Sequence, residues 1–332
     1  MKTQSLIITN EQVKQTICLE EVIDCVEKTW RWHGEGEVNM PPKITTDFSP
    51  YGKSGWFNSM PAYIHPLDTA GIKVVGGFLE NTKIGLPFIK SHILLLDPDH
   101  GFLKALLCGD WISDARTGAQ PAIAMKLLAA STQVVTIIGA GRQAHFAAAC
   151  ILAKHTVREL RICDLKKEAR DRFLSDFSGA PCEIVSYEDN ENACRGADVI
   201  ITLTTANAPL VHEAWCKPGC LVLTMGSFTE TAADVVQKFD ERYLDCLSQG
   251  LHRGNFKEFA EKGIISENNI TAELPDILTG RKKGRRKKED RILCELVGMG
   301  SPDICIAAEV YKRIINSSTE VLYADLLGEP SI

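Results

Sequence analysis

The stretch that most limits what this chain can fold into covers residues 134–148. Five β-prone residues, Val134-Val135-Thr136-Ile137-Ile138, lead into Gly139-Ala140-Gly141-Arg142-Gln143-Ala144, and helix formers follow with no proline to stop them. G-x-G-x-x-A between a strand and a helix is the setting that the dinucleotide fingerprint requires. Gly139 permits the tight turn, and Gly141, lacking a Cβ, lets the main chain approach a pyrophosphate. The helix N-terminus then offers N–H groups and a positive dipole end to that anion. Ala144 is small enough for close helix–strand packing. The next strand, Leu160-Arg161-Ile162-Cys163, ends at Asp164, 20 residues beyond Ala144, the usual place of an acid that binds a ribose hydroxyl. These features predict a dinucleotide site formed by Gly139, Ala140, Gly141, Arg142, Gln143 and Asp164.

The surrounding sequence extends that unit. A helix over residues 167–177, a strand near Cys182-Glu183-Ile184-Val185 and a helix over residues 188–194 precede the strand Val199-Ile200-Ile201-Thr202-Leu203-Thr204. Cys220-Leu221-Val222-Leu223-Thr224-Met225-Gly226 is a further strand. Strands alternating with helices imply a doubly wound parallel sheet, the Rossmann arrangement. Thr202, Thr204 and Gly226 end successive strands at the carboxyl edge, where ligands of such sheets bind, so they join the cofactor candidates.

With 332 residues, two domains are expected. A chain that is 45% hydrophobic and 24% charged can build a substantial core. Its net charge of −6 gives no global reason to bind nucleic acid. The apolar runs are of strand length, short of the ~20 residues of a membrane helix, and Met1-Lys2-Thr3-Gln4-Ser5 lacks a signal-peptide apolar core. The twelve cysteines are scattered, without C-x-x-C pairs at zinc spacing, and read as reduced, buried, cytoplasmic thiols. No metal site is predicted.

Before the glycine loop the pattern differs. After a short strand, Ser5-Leu6-Ile7-Ile8, and helices carrying Leu19, Val22, Ile23, Val26 and Trp30 at helical spacing, residues 38–110 alternate short strands with Pro/Gly turns. This predicts an α+β unit with a mostly antiparallel sheet. Within the strand Ile72-Lys73-Val74-Val75, Lys73 faces away from Ile72 and Val74, either toward solvent or into a cleft. Arg116 lies near the start of a helix that opens at Ile112, where an arginine serves either a bound anion or an ion pair with Asp110 or Asp114. The basic run Arg281-Lys282-Lys283-Gly284-Arg285-Arg286-Lys287-Lys288 has no interleaved aromatic residues and reads as a solvated, mobile loop. Residues 241–300 read as less regular, ahead of a last helix over residues 304–315 and an amphipathic tail.

Taken together, Met60-Pro61-Ala62-Tyr63-Ile64, Gly71-Ile72-Lys73, Gly85-Leu86-Pro87, Ala115-Arg116-Thr117-Gly118-Ala119, the glycine loop and Val297-Gly298-Met299 with Asp303 resemble the ornithine cyclodeaminase/μ-crystallin family over nearly the whole chain. The resemblance implies a substrate-binding and dimerisation domain (residues 1–115 with 304–332), a Rossmann domain (residues 116–303) and a homodimer. It implies an NAD(P)-dependent enzyme acting on amino acids or imines. Arg116 would bind the substrate carboxylate and, with Thr117, contact the cofactor. Lys73 would act at the reacting carbon, with Met60 lining the substrate site. Lys43 falls where many members carry a first carboxylate-binding arginine; lysine keeps the charge but loses the bidentate fork.

A second departure bears on the reaction. In the segment Met225-Gly226-Ser227-Phe228-Thr229-Glu230, Phe228 stands at or next to the place of an aspartate that the cyclodeaminases need for the substrate's side-chain amine. Glu230 could replace it only in a shifted loop. The expected reaction is therefore hydride transfer between nicotinamide and the Cα of an amino or imino acid, with Lys73 and Arg116 as catalytic residues. Ornithine cyclodeaminase-type ammonia release and a non-catalytic μ-crystallin-like binding protein are the alternatives. Asp164 favours NAD by repelling a 2′-phosphate, while Lys166 and Lys167 leave NADP open.

Overall fold

Two sheets of opposite construction organise the computed structural model, which describes residues 4–206, 208–226 and 228–326. The chain divides into two compact units, Met1–Arg116 with Met299–Ile332, and Thr117–Gly298. Arg116 and residues 299–303, expected with the nucleotide-binding unit, belong to the first.

The first unit contains β1 (Ser5–Ile8), β2 (Val38–Asn39), β3 (Ile44–Asp47), β4 (Trp56–Ile64), β5 (Thr69–Gly77), β6 (Ile89–Leu96) and β7 (Leu103–Cys108). Across the sheet the order is Leu322–Ala324, β1, β7, β6, β5, β4, β2, with β3 also on β4. Only β1 and β7 pair in parallel; the other pairs are antiparallel, as the turn-rich sequence suggested. The strand Leu322–Ala324 was not foreseen: the tail adds to the edge of β1, with Ser5 opposite Ala324. Residues 327–332, the rest of that tail, and Ser227 lie outside the described residues.

Helical spacing places Val22, Ile23, Val26 and Trp30 on the buried face of the helix Leu19–Glu35. A separate helix, Asn10–Thr16, precedes it and starts on a capping box between Thr9 and Gln12. The helix Ser301–Ile315 lies across β4, β5 and β6. Glycines allow that close approach. A Cβ on Gly71 would lie 2.7 Å from Leu94 O and 3.2 Å from Ile304 Cγ1, and one on Gly300 would lie 3.0 Å from Met60 Cβ.

The second unit contains β8 (Val134–Ile138), β9 (Glu159–Cys163), β10 (Glu183–Tyr187), β11 (Val199–Thr202), β12 (Leu221–Met225), β13 (Glu241–Leu244), β14 (Ala272–Glu273) and β15 (Ile292–Leu296). Their order is β10-β9-β8-β11-β12-β15-β13-β14, and every pair is parallel. Strand order reverses between β8 and β11, which makes the doubly wound Rossmann sheet. Every residue of β8, β11, β12 and β15 is buried, as in a sheet covered on both faces. The segment read as irregular thus supplies three strands of this sheet.

The basic run is not the mobile loop its charge suggested. Half-buried Arg285 donates to the carbonyls of Leu128 (2.7 Å), Gly219 (3.0 Å) and Asp290, which lie at the entries to β8, β12 and β15. Arg286 bonds Glu241, and Arg281 bonds Asp276. Among the described residues no helix is long and apolar enough to cross a membrane.

Candidate functional site

In the first unit, strand alternation turns Lys73 into the protein. It has no exposed surface, and its Cα stands opposite Met60 of β4 and Ile93 of β6. Its Nζ donates to Ser113 Oγ at 2.8 Å and to Asp303 Oδ1 at 2.8 Å. Ser113 and Arg116 sit on the second turn of the helix Asp110–Leu128, which begins before the predicted Ile112. Arg116 Nε lies 3.1 Å from Asp303 Oδ2. Asp303, which the sequence did not offer as a partner, thus pairs with it, while Asp110 accepts from Lys90 and from Ser91 N.

The result is a buried cluster of two cations, a carboxylate and a hydroxyl. Burial, followed by repulsion from Arg116, pushes the Lys73 ammonium down to about 8; Asp303 opposes that fall. At neutral pH both protonation states of such an amine are accessible, as proton transfer requires. The short distances follow from the two glycine contacts that seat the helix Ser301–Ile315 on the sheet. Asp303 helped to carry the family resemblance but was given no role in the site, and Ser113 was not singled out from sequence. The available signal was an acidic residue in the first turn of a helix, directly ahead of the apolar run of residues 304–308. Lys43 is half-exposed immediately ahead of β3, and Met60 is buried within β4.

In the second unit, β8 ends in Gly139, whose φ is +99°. A Cβ there would lie 2.6 Å from Leu203 O, so both backbone angle and space demand glycine. Gly141 is the N-cap of the helix Arg142–Lys154 and supplies no side-chain cap. A Cβ on it would meet nothing within 4 Å, which leaves the approach to that helix end open. Arg142 is exposed and Gln143 half-buried on its first turn, while Ala144 is buried against the sheet. Asp164 Oδ2 accepts from Ala140 N at 2.8 Å, and Oδ1 from Lys166 N at 2.8 Å, so the acid at the end of β9 is tied to the loop it was predicted to serve. An open glycine-capped helix end beside an ordered carboxylate fits a dinucleotide pyrophosphate and ribose. Thr117, half-buried, precedes Gly118, where a Cβ would meet Phe146 backbone at 2.5 Å; the glycine lets the helix Asp110–Leu128 touch the helix Arg142–Lys154.

Residues 3–318 match the Ornithine cyclodeaminase/mu-crystallin family. The chain belongs to this family. It is 30% identical over 319 residues to a Delta(1)-pyrroline-2-carboxylate reductase of Bacillus cereus, covering 93% of this chain and 97% of that one. Among solved structures, it resembles an archaeal alanine dehydrogenase dimer with bound NAD (TM-score 0.91, 26% identity, 98% of this chain and 100% of that chain covered). It also resembles the Delta(1)-pyrroline-2-carboxylate reductase of Thermococcus litoralis in complex with NADH and L-proline (TM-score 0.88, 28% identity, 94% and 98% covered).

The loop after β12 holds the segment in which the resemblance leads us to expect an aspartate. Gly226 has a φ of +125°, and Phe228 is 37% exposed. Glu230 does not replace the cyclodeaminase aspartate: it is 1% exposed and points elsewhere. Its carboxylate accepts from Thr202 Oγ1 (2.8 Å), Thr204 N (3.0 Å) and Thr204 Oγ1 (2.5 Å). Burial pushes its carboxyl up, while the threonine bonds oppose that. The hydroxyls of Thr202 and Thr204, predicted to face a cofactor, are thus turned to a carboxylate that sequence reasoning gave a different role.

Proposed function

We propose that this chain is an NAD(P)-dependent amino-acid or imino-acid oxidoreductase in which Arg116 and Lys43 bind the substrate carboxylate and Lys73 moves the proton. The observation that carries this reading is the buried Lys73–Asp303–Arg116 cluster. An ammonium held down to about 8 without any exposed surface is poorly suited to a purely structural ion pair, but well suited to exchange a proton near neutral pH.

When bound, the nicotinamide supplies or accepts the hydride at the substrate's Cα. In the reductive direction the protonated Lys73 donates to the imine nitrogen as Cα gains the hydride; in the oxidative direction the neutral amine accepts that proton. Asp303 orients both cations, and Ser113 accepts a second hydrogen bond from Lys73. Phe228, at or next to the place where the resemblance puts the cyclodeaminases' aspartate, supports net hydride transfer over ornithine cyclisation.

Asp164, fixed by two backbone donors, supports NAD over NADP, because an ordered carboxylate repels a 2′-phosphate. A homodimer is supported by exposed Ile44, Tyr51, Ile84 and Leu86 on the first unit. A reducing compartment, the cytoplasm, is supported by twelve free cysteines, most of them buried.

The test is NADH absorbance against cyclic imines and against 2-oxo acids paired with amines. The wild type should oxidise NADH with at least one imino acid, and Lys73→Met should abolish turnover while still binding NADH. Ammonia release from ornithine without net NADH change would refute the reading in favour of a cyclodeaminase. Saturable NADH binding with no turnover across the panel would favour a binding protein.

A further inference from the structure

The buried Glu230 network lies along the same carboxyl edge as the glycine loop, starting on β11, the neighbour of β8, and continuing to β12 and β15; a Cβ on Gly139 would lie 3.0 Å from Thr204 Cγ2. In a doubly wound sheet the first half, here β8 to β10, takes the adenosine part of a dinucleotide, and the second half takes the nicotinamide mononucleotide. Three chain segments at the carboxyl ends of β11, β12 and β15 are joined through polar groups that lack solvent. The carboxylate of Glu230, on the segment after β12, reaches the end of β11 at Thr202 and Thr204. Thr204 Oγ1 in turn accepts from Ala206 N at 3.0 Å.

The main chain of the same residue is held from the other side. Glu230 N and Thr231 N donate to Asn255 Oδ1 at 3.1 and 3.0 Å, and Thr231 Oγ1 donates to the same oxygen at 3.0 Å. Asn255 and Phe256 donate their own backbone N–H groups to Glu295 of β15, the latter at 2.8 Å. Leu210 N bonds Glu230 O at 2.7 Å, and Ala232 N bonds Val211 O at 2.9 Å, so the segments after β11 and β12 are also stitched by backbone. Asn255 and Glu295 have no exposed surface.

Burying a carboxylate is unfavourable, and apolar side chains would fix two loops with less desolvation. What a carboxylate adds is geometry, because it takes three donors from one strand end at once. We propose that Glu230 is a positioning residue for the nicotinamide half of the cofactor. It holds the end of β11 and the chain at Glu230–Thr231 as one piece, so that the second mononucleotide meets a preformed edge. The role rests on the dinucleotide site of the proposed function, and it is independent of the substrate and of Lys73.

The test compares two ligands on the full-length protein. ADP-ribose reports the adenosine half alone, and NADH reports both halves. For Glu230→Ala the Kd of NADH, read by its fluorescence, should rise about tenfold or more, the size of losing a hydrogen bond to a charged group, while the Kd of ADP-ribose stays within about twofold. Glu230→Gln, which keeps one acceptor oxygen, should recover part of the NADH affinity. Should Glu230→Ala yield no folded protein, Thr204→Val, which deletes one of the three donors, should give the same asymmetry at smaller size. Equal losses for both ligands, or NADH affinity unchanged in a folded variant, would reduce Glu230 to scaffold and overturn the proposal. A wild type that binds NADH yet reduces no imino acid would overturn the proposed activity and leave this positioning role standing.

Discussion

The role of Lys73 can be tested through its counter-ion. Asp303→Asn removes the carboxylate 2.8 Å from Nζ while keeping size and hydrogen-bonding capacity. At that separation, with an effective dielectric constant of about 20, the direct attraction is about 6 kcal/mol, an upper bound because Ser113 and local relaxation compensate. Measured effects of a nearby opposite charge are about 1–3 pH units, so we take about 2. The wild-type amine titrates at about 8. At pH 7.5 about three-quarters of it is protonated, against about 3% for a group titrating near 6. Reductive kcat/KM at pH 7.5 should therefore fall roughly 25-fold, with the basic limb of the pH profile moving from about 8 to about 6. The oxidative direction, which uses the neutral amine, should gain activity toward acid pH over the same interval. Stopped-flow NADH absorbance in both directions between about pH 5 and pH 10 measures this. Profiles whose midpoints stay near 8 in a folded Asp303→Asn protein would refute the assignment of the titrating group to Lys73.

Three other outcomes are expected. Lys73→Met should abolish turnover and remove one pH dependence of stability. The folded-state pKa of about 8 lies below the reference 10.5, so protonating this lysine opposes folding, and wild-type stability should rise by on the order of 3 kcal/mol as the pH climbs from about 8 through 10.5. Denaturant unfolding of the two proteins across that interval measures it, and an equal rise in the methionine variant would contradict the assignment. Arg116→Lys should raise the KM for the imino acid about tenfold or more with little change in the KM for NADH, because lysine lacks the planar fork; a change confined to NADH would move Arg116 out of the substrate site. Asp164→Ser should improve the NADPH-to-NADH ratio of kcat/KM about tenfold, by removing like-charge repulsion; an unchanged ratio would show that another group selects the cofactor.

What was legible in the sequence was what local chemistry dictates. The glycine turn, its strand and its helix are contiguous, and Asp164 follows at a distance set by one βαβ step. The buried face of β5 could be read from alternation, which left two choices for Lys73 and could not choose between them. Asp303 could not be paired with it, because 230 residues separate them and only the packing of the last helix on the sheet joins them. The sequence offered Glu230 as a stand-in for an aspartate only in a shifted loop, because sequence position says nothing about which way a loop carboxylate turns. The strand Leu322–Ala324 was overlooked for a related reason: a short edge strand has too few residues for a period and depends on its partner β1.

The Arg285 anchorage separates residues that look alike in composition into two evolutionary classes. Its guanidinium satisfies main-chain carbonyls, which no relative can mutate away, so replacing it would leave buried acceptors unpaired whatever else changes. Lys282, Lys283, Lys287 and Lys288 are exposed on the same loop. Their number and charge are free to drift between relatives, and among sequences aligned to this one the arginine should persist while the lysines around it scatter.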